Sequence, residues 1–128
     1  SDCHPLAEAF LDANLLLNAL PRIKYVTGNW GRCNPGLGEF DLFIGSDVLY
    51  ERDHPEQLAN FIALHAAPSA EVMIVDPNRS NRSAFNRAMA LHGFALTATP
   101  ITAPLSDGTP YKGHLLRYQR DASVALAT

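Results

Sequence analysis

Two short, almost unbroken apolar runs constrain this chain more than any other feature: Phe-Asp-Leu-Phe-Ile at 40–44 and Val-Met-Ile-Val at 72–75. Each is too short for a helix and is stopped by turn-forming residues, Gly45 after the first and Asp76-Pro77 after the second. Between them Leu58, Phe61, Ile62 and His65 recur at helical spacing, behind an Asp53/Glu56 capping-box pattern and Pro55. Apolar strands separated by a helix point to parallel β-structure sandwiched between helices, so strand 40–44 is expected to be buried on both faces.

The rest of the chain extends this alternation. A helix is expected over residues 81–92, with Gly93 as its C-terminal stop. Residues 94–102 and 111–119 read as strands joined by a loop holding Pro104, Asp107, Gly108 and Pro110, and should pair antiparallel. Upstream, Leu6, Phe10, Ala13, Leu17 and Leu20 predict a helix over 5–20, closed by Pro21. The β-branched and aromatic segment 23–27 predicts a strand running into Gly28, Asn29 and Trp30, before a glycine-rich loop over 31–38. Residues 121–128, small and weakly periodic, are expected to be a frayed end. The fold class is α/β, a single domain over 1–128: a doubly wound mixed sheet with a C-terminal antiparallel strand pair.

Composition narrows the function classes. With 10 basic against 13 acidic residues and a net charge of -3, the chain has no basic stripe to draw a phosphate backbone, so nucleic acid is not an expected partner. No apolar run approaches the roughly 20 residues of a bilayer span, and Cys3 and Cys33 follow no disulfide-rich spacing or signal-peptide pattern. These features predict a soluble cytoplasmic protein with free thiols and no membrane partner. His4, His54, His65, His92 and His114 show no metal-ligand spacing, and no serine sits in a nucleophile elbow, so neither a zinc site nor a hydrolase triad is expected.

In open α/β sheets ligands gather outside the carboxyl ends of the parallel strands. That rule selects Asn29-Trp30, the segment from Ser46 to Tyr50, and Asp76 to Arg79. Asp47 and Tyr50 are acceptors that could orient an amine. Equally, Asp47 could cap a turn while Tyr50 packs its ring on the next helix.

The segment Phe40-Asp41-Leu42-Phe43-Ile44-Gly45-Ser46-Asp47-Val48-Leu49-Tyr50 resembles the fourth strand and following turn of the seven-strand class I S-adenosylmethionine-dependent methyltransferases. Asp47-Val48-Leu49-Tyr50 matches the Asp-x-x-Tyr signature of their protein-lysine branch. The Ser1-Asp2-Cys3-His4-Pro5 start, Asn29-Trp30-Gly31, and Asp76-Pro77-Asn78-Arg79, with Asn78 where some members carry glycine, are similar to that branch as well. The resemblance implies methyl transfer from S-adenosylmethionine to a protein lysine or a small-molecule amine. It places Asp47 and Tyr50 at the acceptor, Asp2, Trp30 and Ser46 at the cofactor, and Asn78 and Arg79 on the substrate side. Two plainer roles stand beside these: a helix N-terminal charge for Asp2 and ligand-free packing for Trp30.

It also implies that the chain starts at the end of the second strand, without the glycine-rich cofactor turn. In the family's strand order, 3-2-1-4-5-7-6, this leaves the third strand without a neighbour and the inner edge of the fourth unpaired. Either the chain is a fragment of a longer enzyme, or another chain such as a second copy fills the gap, or the first helix and strand pair elsewhere; a methyltransferase-like binding module without catalysis would lack the same turn.

Overall fold

Helical spacing near the start of the chain does produce a helix, α1 (Ala7–Leu17), in the structure, a computed structural model that describes residues 1–122. Residues 123–128 of the expected frayed end lie outside the described residues. α1 belongs to the first of two units, Ser1–Leu37 and Gly38–Thr128. It stops short of Pro21 because the chain turns left-handed at Ala19, φ 51°. There the Ala19 and Leu20 amides donate to the carbonyls of Leu16 (3.1 Å) and Leu15 (2.9 Å), closing the last turn. No residue of α1 is buried, and Phe10 and Leu17 stay 65% and 82% exposed.

The strand expected over 23–27 does not form. A strand needs a neighbour to take its alternating N–H and C=O groups. Among the described residues the only such contact is one isolated parallel bridge between Asp2 and Thr27, where the Gly28 amide donates to the Asp2 carbonyl at 3.0 Å.

In the second unit the alternation read from the sequence is realised as β1 (Phe40–Ser46), α2 (His54–His65), β2 (Ala66–Asp76), α3 (Arg82–Leu91), β3 (Ala95–Ile101) and β4 (Gly113–Arg120). The sheet order is β1-β2-β4-β3, with β1 and β2 parallel and β4 antiparallel to both β2 and β3. This order matches the run 4-5-7-6 within the order that the resemblance implied.

Register decides which side chains form the core. Val72 lies opposite Tyr118 and Ile74 opposite Leu116, and all four are at most 2% exposed. Leu58, Phe61 and Ile62 of α2 and Phe85 and Met89 of α3 are buried with them. The Phe85 and Tyr118 rings meet edge to face at 5.3 Å. Each large side chain buried in this way contributes roughly 1.5–3 kcal/mol. Burial, reinforced by the charge of Asp76, pushes the Tyr118 hydroxyl up, so it stays a proton donor to Asn86 Oδ1 at 2.6 Å.

Helix ends account for the sharp boundaries. Gly93 at φ 82° closes α3: its amide donates to Ala90 and that of Phe94 to Met89, at 3.0 and 3.1 Å. The capping box expected at the start of α2 does not form, because Asp53 already has helical backbone angles and makes no side-chain cap bond. His54 Nδ1, 3.1 Å from the Val48 carbonyl, anchors that entry instead.

The expectation that strand 40–44 is buried on both faces is overturned. β1 lies at the edge of the sheet, and Leu42 and Ile44 remain 52% and 79% exposed. An apolar run records what a strand tolerates, not how many neighbours it has. β2, in contrast, is paired on both sides, and its residues alternate between buried and half-buried from Ala70 to Asp76.

Candidate functional site

At the carboxyl end of β1 the chain turns at once. The Asp47 amide donates to the Val75 carbonyl at 2.8 Å, and Asp47 itself is left-handed at φ 50°, a conformation that aspartate tolerates better than most residues. Glycine at 45 relieves crowding in this turn, since a Cβ there would come within 3.3 Å of Val48 Cγ1. Leu49 then plugs the core at 0% exposure, which leaves Tyr50 58% exposed beyond it. The Tyr50 ring meets the His54 ring edge-on at 4.7 Å. One of the two sequence readings, packing on the following helix, thus describes the ring. Its hydroxyl has no partner among the described residues.

The turn after β2 stands beside this one. Asp76 is fully buried, its Oδ2 accepts the Arg79 amide at 3.0 Å, and its Oδ1 has no partner among the described residues. Arg79 reaches across and donates from Nε and Nη2 to the two oxygens of Asp47, both at 2.8 Å. These hydrogen bonds hold the Asp47 carboxyl below its ordinary range, against a desolvation that outweighs the bare charge of Arg79. Asn81, at the start of α3, donates its amide to the carbonyls of Leu49 and Glu51, both at 2.9 Å, which ties the two turns together.

A second polar cluster adjoins the first. Asn78 is left-handed, φ 64°, and its Nδ2 donates to the Lys112 carbonyl at 3.2 Å. Its Oδ1 lies 2.8 Å from both Arg82 Nη1 and His114 Nδ1. His114 sits at the start of β4, opposite Asp76 in the ladder. Its neighbour Gly113 lies so close to β2 that a Cβ there would be 2.6 Å from the Asp76 carbonyl oxygen and would overlap the Tyr111 ring.

Of the seven residues singled out from sequence, five therefore share one end of the second unit: Ser46, Asp47, Tyr50, Asn78 and Arg79. Ser46 is exposed at the end of edge strand β1. Asp2 and Trp30 belong to the first unit. There Asp2 Oδ1 accepts the His4 amide at 2.8 Å, which supports a turn-capping role at the entry to α1, and Trp30 is half-buried. Asn81, Arg82 and His114 were not found from the sequence, and Asp76 was read there only as the start of the 76–79 segment, with no role of its own. A signal existed for His114, because an antiparallel return strand must begin where its partner ends, at the Asp76 turn.

Among the described residues no cluster of three or more His, Cys, Asp or Glu could hold a metal ion, and no helix is long and apolar enough to cross a membrane. No protein-family model matches the sequence. No curated protein matches it significantly either.

Solved structures do resemble it. A methyltransferase from Pyrococcus furiosus aligns with a TM-score of 0.67 at 14% identity, over 88% of this chain and 57% of its own. An S-adenosylmethionine-dependent methyltransferase from Methanosarcina mazei gives 0.64 at 10% identity, over 94% of this chain and 80% of its own. The N-methyltransferase NodS from Bradyrhizobium japonicum, solved with S-adenosylhomocysteine, gives 0.64 at 12% identity, over 93% and 64%. The chain thus spans a little over half the length of the Pyrococcus protein, and it has the Rossmann-like α/β fold of these methyltransferases.

Proposed function

We propose that this chain is the acceptor-side part of an S-adenosylmethionine-dependent methyltransferase that modifies an amine, with a protein lysine as the preferred acceptor. The carrying observation is the Asp47–Tyr50 turn at the carboxyl end of β1, presented beside Arg79 and Asn78 on a methyltransferase-type sheet. The lysine assignment rests on the Asp-x-x-Tyr match.

The residues of the second unit fit a sulfonium cofactor in charge and polarity. Ser46 offers a hydroxyl and backbone groups on the edge strand β1, and the guanidinium beside Asp47, that of Arg79, is neutralised by it. Asp2 and Trp30 keep their cofactor roles on the sequence match alone. When bound, the cofactor supplies an electrophilic methyl group whose bond to sulfur breaks with its electron pair going to sulfur.

The chain's own task is to position the acceptor nitrogen. Arg79 occupies one lone pair on each Asp47 oxygen and leaves the others to accept N–H bonds from the amine. The Tyr50 hydroxyl is a further acceptor. Arg79 fixes the carboxylate's direction and keeps it ionised, so Asp47 stabilises positive charge on nitrogen without taking its proton.

Titration calorimetry with S-adenosylhomocysteine tests the cofactor reading, and absence of binding would count against it. Asp47→Ala should lower methyl transfer at least ~100-fold with cofactor affinity kept; unchanged turnover would remove Asp47 from the site. The open edge of β1 favours one further partner, a second copy of this chain, which a dimeric mass in solution would support.

A further inference from the structure

Because Arg79 makes Asp47 a poor proton acceptor, a lysine-type acceptor, which arrives as an ammonium ion, needs another group to free its lone pair. We infer that His114 is that base, acting through Nε2; the inference rests on the methyltransferase reading above.

The argument is one of donor and acceptor assignment. Asn78 Nδ2 donates to the Lys112 carbonyl, which fixes the amide so that Oδ1 faces Arg82 and His114 as an acceptor. Arg82 has only donors. At 3.0 Å from His114 Nδ1 it could bond to that nitrogen only if the nitrogen were bare, but a bare Nδ1 would set lone pair against lone pair with Asn78 Oδ1 at 2.8 Å. The arrangement that satisfies every group puts the proton on Nδ1, donated to Asn78, while Arg82 donates to the same oxygen. A neutral ring then carries its lone pair on Nε2, which has no partner among the described residues.

Place and charge suit the role. Asn78, which holds the ring, directly precedes Arg79, which holds Asp47, so one short turn carries both contacts. The charged groups around the ring are Asp76, opposite it on β2 and buried with one oxygen unpaired, and Arg82 from α3. Its β3 neighbour is the uncharged Pro100, and Lys112, two residues before it, contributes a carbonyl to Asn78. In the step itself one ammonium N–H bond breaks, its proton passes to Nε2, and its electron pair stays on the acceptor nitrogen as the nucleophilic lone pair.

Nitrogen-15 spectra of the full 128-residue chain test the tautomer directly. His114 should carry its proton on Nδ1, and Asn78→Gly, which suits the left-handed backbone but lacks the amide, should abolish that preference. An Nε2-protonated ring in the unaltered chain overturns the proposal whatever the activity. With labelled S-adenosylmethionine and poly-L-lysine as probes, His114→Gln should slow single-turnover transfer about 100-fold or more at neutral pH, with the rate then climbing as the free-amine fraction rises with pH. Its affinity for S-adenosylhomocysteine should stay within about twofold. Equal rates in variant and unaltered chain, zero in both included, overturn the base role. Failure of the methyltransferase reading shows separately, as no binding of S-adenosylhomocysteine.

Discussion

The two units of this chain carry comparable apolar sequence but use it differently. In the first, α1 presents Phe10, Leu16 and Leu17 to solvent and the β-branched segment 23–27 makes a single bridge. In the second, equally ordinary side chains vanish into one continuous core between a sheet face and two helices, with Phe85, Met89, Leu116 and Tyr118 fully buried. Periodicity says which side of an element wants burial. Only a partner surface supplies it, and the second unit contains that surface within its own residues.

The largest test of this contrast is a matched pair. Phe85→Ala, at a site with no exposure, should cost about 3–5 kcal/mol in urea unfolding followed by circular dichroism. Phe10→Ala in α1 should stay within about 0.5 kcal/mol. Equal costs would erase the distinction between the units.

A smaller effect comes from the two left-handed helix ends. Gly93→Ala should destabilise the second unit by about 1–2 kcal/mol, because a Cβ is disfavoured at φ 82°. The opposite change in the first unit, Ala19→Gly at φ 51°, relieves the same penalty and should increase helicity. The smallest effect concerns acid. Asp47 is held below its ordinary range by the Arg79 hydrogen bonds, so its stabilising contribution is complete above the usual carboxylate pKa and fades as pH falls through the depressed folded value. Asp47→Asn should flatten that part of the acid limb of a stability profile, and an unchanged limb would show that the pair adds nothing to the fold.

Most of the second unit was legible in the sequence because its signals were local. Gly93 sits where the α3 period stops, and the 94–102 and 111–119 runs are close to β3 and β4. What failed was whatever depended on a neighbour: the burial of β1, the strand at 23–27, and a cap at Asp53 that the backbone made unnecessary. β2 begins at Ala66, six residues before its apolar run, because α2 passes into it without a loop and Pro68 and Ser69 mask the strand's start. The site divides along the same line. The Asp47 and Arg79 turns followed from strand ends, whereas their ion pair and the Asn78–His114 contact join residues more than thirty positions apart.

Gly113 sets a boundary condition on everything near it. With no room for even one carbon between the Asp76 carbonyl and the Tyr111 ring, this strand start admits no side chain without shifting the Asp76 backbone and displacing that ring. The placement of His114 is therefore inherited from the emptiness of the position before it. Attempts to retune this end of the protein will find 113 a fixed point.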